Sequence, residues 1–242
     1  MLPHISLHVG HNDIINERYL LFNVPDLITN SIKSTGGYTR EFAEYAAKIL
    51  NNTTKDVLDI GANVGTFAIP LAKMIKGNVY CYEVQRIVYY QLCANVILNH
   101  LENVFCYHKC ITYNNYNKSV RIPVVDFSNP NNIGAYSLNY TLAEINLTDK
   151  CEDVETLVLD DTPFDNIGFI KIDVEGAEIH VLRGLVKTIQ KNNYPPILFE
   201  CWSGDWFKEQ KALLFKYIHS IGYFDIVALD STNFVATKSS DI

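Results

Sequence analysis

The stretch Val57-Leu58-Asp59-Ile60-Gly61-Ala62-Asn63-Val64-Gly65-Thr66-Phe67 constrains this chain more than any other. Apolar, β-prone residues run into an acid, then come two spaced glycines, then an apolar helical pattern. The order predicts a buried strand over 56–60, a tight turn, and a helix over about 65–76 carrying Phe67, Leu71, Met74 and Ile75 inward. Glycine has no Cβ, so a ligand can lie against the bare backbone of such a turn. The unpaired N–H groups and positive dipole end of the next helix add polar attraction. A dinucleotide-binding turn wants G-x-G-x-x-G, whose second glycine admits the pyrophosphate. Here Asn63 holds the second slot and Thr66 the third. The pattern is instead acid-x-Gly-x-x-x-Gly, and Asp59 beside the glycines suits a cationic tail better than a pair of phosphates.

Val79-Tyr80-Cys81-Tyr82 reads as the next strand, ending at Glu83. An acid at a second strand end, roughly 20 residues past a glycine turn, is where a ribose diol is gripped. A carboxylate accepts from both hydroxyls at once. A helix follows over about 86–99, then a strand over 103–107 whose end places Tyr107, His108 and Lys109 near a base; His108 is left out of the chemistry. Upstream, residues 1–37 read as an irregular extension with a strand or hairpin arm over 14–23, broken by Gly36-Gly37. Thr39 caps a helix over about 40–50, whose Phe42, Tyr45, Ala46, Ile49 and Leu50 form one apolar face. Tyr38 and Glu41 then stand at the mouth of the cleft, or are plain surface residues of a helix start.

Residues 112–150 are polar and asparagine-rich, with a hairpin expected over 119–126 and a loop over 127–140. Long irregular insertions in a regular α/β pattern are usually functional, so this one is read as the acceptor-binding region. Beyond the short strand 154–157 lies Ile167-Gly168-Phe169-Ile170-Lys171-Ile172-Asp173-Val174-Glu175-Gly176. Lys171, Asp173 and Glu175 alternate with apolar residues, so at period two they face one way. Three buried charges would be costly, but they make sense at the open carboxyl edge of a parallel sheet. A helix over about 177–191, a strand over 197–202 containing Glu200, a helix over about 205–220 and two antiparallel strands (224–229 and 233–237) complete the pattern.

The net charge of -7 argues against nucleic acid as a partner, because phosphate binding wants a basic surface. The six cysteines contain no C-x-x-C pair and read as buried free thiols. The opening residues read as no signal peptide and no apolar run is long enough to span a membrane, so a reducing, cytoplasmic setting is expected.

Six pieces now line up in order from Val57 to Glu200: VLDIGANVGTFAIPLA, CYE, NVILNHLENV, ETLVLDD, FIKIDVEGAEIHVLRG and PPILFE. Together they resemble the FkbM family of methyltransferases. The resemblance implies an α/β, Rossmann-like methyltransferase fold: a mostly parallel seven-stranded sheet, an antiparallel last strand, and helices on both faces. It implies one domain over 1–242, with a donor-binding half (38–111), an acceptor-side insertion (112–150) and a catalytic half (151–242). It implies S-adenosylmethionine as methyl donor, held by Asp59, Gly61, Ala62, Asn63, Gly65, Thr66, Phe67 and Glu83, with Tyr38, Glu41 and Asp173 alongside. Asp173 is the expected base or metal ligand, Glu175 orients the acceptor, Lys171 holds Asp173 as a carboxylate or polarises the hydroxyl, and Glu200 completes a carboxylate pair. That pair could hold Mg²⁺, but a metal-free reaction is the favoured reading. The family usually has proline two places after the second-strand acid, where this chain has Gln85. The acceptor expected is a hydroxyl of a sugar or glycan, helped by Tyr113, Tyr116, Tyr136 and Tyr140. A non-carbohydrate small molecule, a protein, or a binding module without activity are the alternatives. An NAD-type dehydrogenase is disfavoured by Asn63.

Overall fold

The computed structural model describes residues 5–9, 17–23, 26–114, 118–125 and 147–238. The chain opens with β1 (Ile5–Val9) and β2 (Arg18–Phe22), followed by α1 (Leu27–Thr35) and α2 (Arg40–Ile49). Then come β3 (Asp56–Ile60), α3 (Ala68–Met74), β4 (Val79–Glu83), α4 (Arg86–Leu98) and β5 (Val104–His108). A second run holds β6 (Cys110–Ile111), β7 (Ser119–Val125), β8 (Leu147–Leu157), β9 (Ile167–Ile172), α5 (Glu178–Arg183) and α6 (Val186–Lys191). It closes with β10 (Ile197–Glu200), α7 (Lys208–Ser220), β11 (Asp225–Ala228) and β12 (Asn233–Thr237).

Seven strands form one sheet in the order β11-β12-β10-β9-β3-β4-β5. β5, β4, β3, β9 and β10 pair in parallel, and β12 runs antiparallel to both its neighbours, as expected. Both faces are covered, which is why the central strands are nearly continuous apolar runs. Leu58, Ile60, Ile170 and Ile172 face one core with Leu182, Ile189 and Leu214. Val57, Phe169 and Leu198 face the other, with Phe42 and Ala46 of α2, Leu71 of α3 and Leu92 of α4.

The extension over 1–37 is more ordered than its sequence suggests. β1 and β2 pair antiparallel, and α1 is capped at both ends. Asp26 accepts from Thr29 N at 3.1 Å, and Gly36 takes the left-handed conformation with φ 82. An acid cap followed by a glycine stop was the available signal. Tyr19, Leu21, Ile28 and Ile32 join Val64, Ile69 and Val88 in a third core. Asn95 of α4 fastens this layer: its carbonyl accepts from Leu20 N at 2.6 Å and its amide donates to Val64 O at 2.9 Å.

Other boundaries shift for physical reasons. The helix expected over 65–76 begins only at Ala68, because Gly65 (φ 95) still belongs to the turn. The helix expected over 177–191 is two helices, α5 and α6. At the break, a Cβ on Gly184 would lie 2.2 Å from Thr112 O, so the backbones meet there. β9 stops at Ile172, and Asp173–Gly176 form a turn rather than the end of a strand. Likewise β10 stops at Glu200, short of the predicted Trp202. The insertion is partly sheet, since β6, β8 and β7 form a three-stranded unit. The predicted loop 127–140, with Tyr116, Tyr136 and Tyr140, lies outside the described residues. Among the described residues no helix is long and apolar enough to cross a membrane, and all six cysteines are free.

Candidate active site

Strand order reverses between β3 and β9, and open α/β sheets bind ligands in the crevice outside that point. There the β3 turn meets the β9 turn backbone to backbone. Asp173 N donates to Ile60 O at 2.9 Å, and a Cβ on Gly61 (φ +82) would sit 1.7 Å from Asp173 O. Gly61 N and Ala62 N both donate to Tyr82 O, at 2.9 and 3.0 Å, which fastens the turn to β4. Asn63 takes φ 51, a region asparagine tolerates better than most residues.

Glu83 closes this cradle. Its carboxylate accepts from Asn63 N at 2.9 Å and from Gln85 N at 2.8 Å. Burial pushes its carboxyl up to about 7, although those backbone donors pull the other way. Asp59 lies fully buried behind the turn; among the described residues neither oxygen has a hydrogen-bond donor, and Lys171 Nζ is 3.6 Å away. Its carboxyl is pushed up to about 6 by burial, against the pull of Lys171. Phe67 and Thr66 are buried; Phe67 stacks on Phe169 at 6.3 Å, and Lys171 Nζ lies 5.8 Å from its ring.

Lys171 is buried and central. Its ammonium lies 3.0 Å from Asp173 Oδ2 and 3.5 Å from Gly61 O. Burial works against the charge, but Asp173 and Asp59 outweigh it and hold the proton above the usual lysine range. Carboxylate oxygens of Asp173, Glu175 and Glu200 all lie within 4.8 Å of one another. Glu175 joins them through a turn with φ 53, not through strand alternation. Three oxygen donors at this spacing are a fair set for a hard cation such as Mg²⁺; the sequence supplied only two. Burial lifts the Glu175 and Glu200 carboxyls well above their ordinary range, and their acidic neighbours add to it.

Tyr38 faces this cluster: its hydroxyl is lifted by burial and then by Asp173, Glu200 and Glu175. Glu41 does not join; it is exposed on the first turn of α2, in a surface groove with Tyr38, Ser31 and Thr35. Sequence reasoning missed Glu178, which is buried, accepts from Gly176 N at 3.0 Å and is pushed up to about 7 by burial. An acid in the first turn of a helix after Gly176-Ala177 was the signal. At the end of β5, His108 bonds Val84 O at 3.0 Å and stacks on Tyr89, while Lys109 pairs with Glu155.

These raised carboxyls set a pH dependence. A group whose folded value is raised binds more protons folded than unfolded, so its contribution is full below the unfolded value and lost as pH rises through the folded one. For Glu83 and Glu178 that window runs from 4.5 to about 7. The ligand-free protein should therefore lose Tm as pH rises across this window, and Glu178→Gln should flatten the slope. Scanning calorimetry across the window checks this; a Tm that rises with pH would contradict it.

The family profile described as methyltransferase FkbM domain matches residues 59–223, most of the chain. The chain belongs to the FkbM methyltransferase family. The solved FkbM methyltransferase of Methylobacillus flagellatus KT shares its fold, with TM-score 0.51 at 17% identity over 81% of this chain and 50% of that one. So does precorrin-6Y C5,15-methyltransferase of Geobacter metallireducens GS-15, with TM-score 0.50 at 12% identity over 82% and 88%. A curated relative, the tRNA(Phe) (4-demethylwyosine(37)-C(7)) aminocarboxypropyltransferase of Methanocaldococcus jannaschii, is 43% identical over 105 residues. That match spans 42% of this chain and 40% of the relative's length.

The cofactor of the FkbM chain is S-adenosylmethionine, and the site fits it. The buried acceptor oxygens of Asp59 and the carboxylate of Glu83 suit a cationic amino acid tail and a ribose diol. Glu83→Ala should weaken S-adenosylmethionine binding by at least ~1.5 kcal/mol, the worth of hydrogen bonds to a charged group. Calorimetric titration measures it, and unchanged affinity would remove Glu83 from the cofactor site.

Proposed function

We propose that this FkbM chain transfers a methyl group from S-adenosylmethionine to a hydroxyl of a sugar or glycan. The observation that carries the reading is the Lys171–Asp173 pair, 3.0 Å apart, at the crevice beside the cradle, with Glu175 and Glu200 next to it. The bound cofactor supplies an electrophilic methyl group on a sulfonium. An alcohol needs its proton removed as it attacks. Asp173 takes that proton, and Lys171 fixes the carboxylate in position through their ion pair. Glu175 and Glu200 hydrogen-bond the neighbouring hydroxyls, and alignment supplies much of the remaining rate. In this reading residues 38–111 hold the donor, 151–242 carry the catalytic groups and 112–150 help bind the acceptor. The free cysteines suit a reducing, cytoplasmic setting.

The archaeal relative favours a second reading, an RNA base as acceptor, because its name includes a tRNA substrate. That reading has to meet the net charge of -7, which is unfavourable to phosphate. Methyl-labelled S-adenosylmethionine, incubated with the protein and a panel of methyl glycosides, nucleosides and bulk tRNA, separates the two by mass spectrometry. Label in a glycoside is expected; label in tRNA alone would overturn the glycan reading. Turnover is expected to survive chelation. Loss on chelation, restored by Mg²⁺, would make Asp173, Glu175 and Glu200 metal ligands.

A further inference from the structure

We infer that Trp202 and Trp206 form the stacking floor of the acceptor subsite and take the apolar face of a sugar ring beside Glu200. The inference rests on the glycan reading and adds residues to it. β10 ends at Glu200, and the chain then turns outward through buried Cys201 to Trp202. Trp202 packs beside Gly176, Glu178, Glu200 and Phe207 and closes the crevice between them, on the same edge as the carboxylate cluster. Trp206 extends this floor, its ring 5.1 Å from that of Trp202. Phe207 is 3% exposed and packs edge-on beneath both, at 5.3 and 5.5 Å.

The platform is built and still open. A Cβ on Gly204 would lie 2.4 Å from Trp206 Nε1 and 2.7 Å from Cδ1, so only glycine lets the indole lie on the backbone there. Three neighbours thus position Trp206, yet it remains 52% exposed. A positioned, half-exposed indole one ring away from Glu200 matches a sugar, which has a C–H face for the ring and edge hydroxyls for Glu200.

Trp202 and Trp206 are the two tryptophans of the chain, so all its indole emission reports on this site. The protein is saturated with S-adenosylhomocysteine and titrated with methyl glycosides and, separately, with nucleoside monophosphates. A saturable emission change with a glycoside is expected, and none with the nucleotides. On a glycoside that is methylated, Trp206→Ala should raise KM by roughly tenfold or more, leave kcat within about twofold and leave S-adenosylhomocysteine affinity unchanged. Trp206→Phe should restore KM to within about threefold. Methylated glycosides with silent indoles and an unchanged KM in Trp206→Ala would overturn the subsite and leave the glycan reaction intact. Saturable glycoside binding with no methylation would do the reverse. Emission that responds to nucleotides and not to glycosides would overturn both.

Discussion

Asp173→Asn is expected to cut turnover by roughly 10²–10⁴-fold while S-adenosylmethionine affinity stays within a few-fold. That rate loss is the usual worth of a positioned general base. The substitution keeps shape and removes the proton acceptor. Binding is expected to survive because the cradle is fastened independently: Gly61 N and Ala62 N bond Tyr82 O, and Asn63 N bonds Glu83. Lys171 keeps Asp59 as a charged neighbour at 3.6 Å, so the ammonium is not stranded. Turnover is measured at saturating donor on an acceptor verified by mass spectrometry, and affinity by calorimetry. Full turnover in the variant would take Asp173 out of the mechanism, while a lost donor with normal folding would make it a cofactor ligand only.

The second large effect is expected from the smallest change, Gly61→Ala. The new Cβ would lie 1.7 Å from Asp173 O, a backbone atom that cannot swing aside. Alanine at φ +82 also carries a left-handed strain of about 1–2 kcal/mol. Overpacking typically costs about 1–3 kcal/mol more. For a chain of this size each kcal/mol shifts Tm by about 2–4 °C, so a fall of roughly 5–20 °C is expected. The contact atom belongs to Asp173, so relief of the clash must move the catalytic turn, and activity should fall even where the variant folds. Gly37→Ala is the control: its nearest neighbour would be Arg40 Cβ at 3.8 Å, and its Tm should barely change. A wild-type Tm in Gly61→Ala would mean that the two turns are not in backbone contact.

Much of this was legible in the sequence, because buried parallel strands announce themselves. β3, β4, β9 and β10 are short apolar runs with Asp59, Glu83, Asp173 and Glu200 in or just past them. Such runs point to a sheet covered on both faces with its chemistry at one edge. Features set by distant contacts were not legible. Nothing near Gly184 predicts Thr112 against its backbone, so the helix break was missed. Glu175 was placed with its partners by strand alternation, when a turn beyond the strand brings it there. Trp202 and Trp206 carry no spacing signal that separates them from ordinary core residues.

The two-sided bond of Asn95 has a bearing on where this protein can be cut. One amide side chain joins Leu20 of the N-terminal hairpin to Val64 of the glycine turn, and Gln91 on the same helix also donates to Leu20 O. The segment matched by the family profile, 59–223, therefore leaves out the hairpin that Asn95 and Gln91 hold. A version beginning at Tyr38 would take Leu20 away from buried Asn95 and Gln91 and uncover Ile69 and Val88. Losing the hairpin would leave buried polar groups of α4 without their partners next to the turn that Asn95 also holds through Val64.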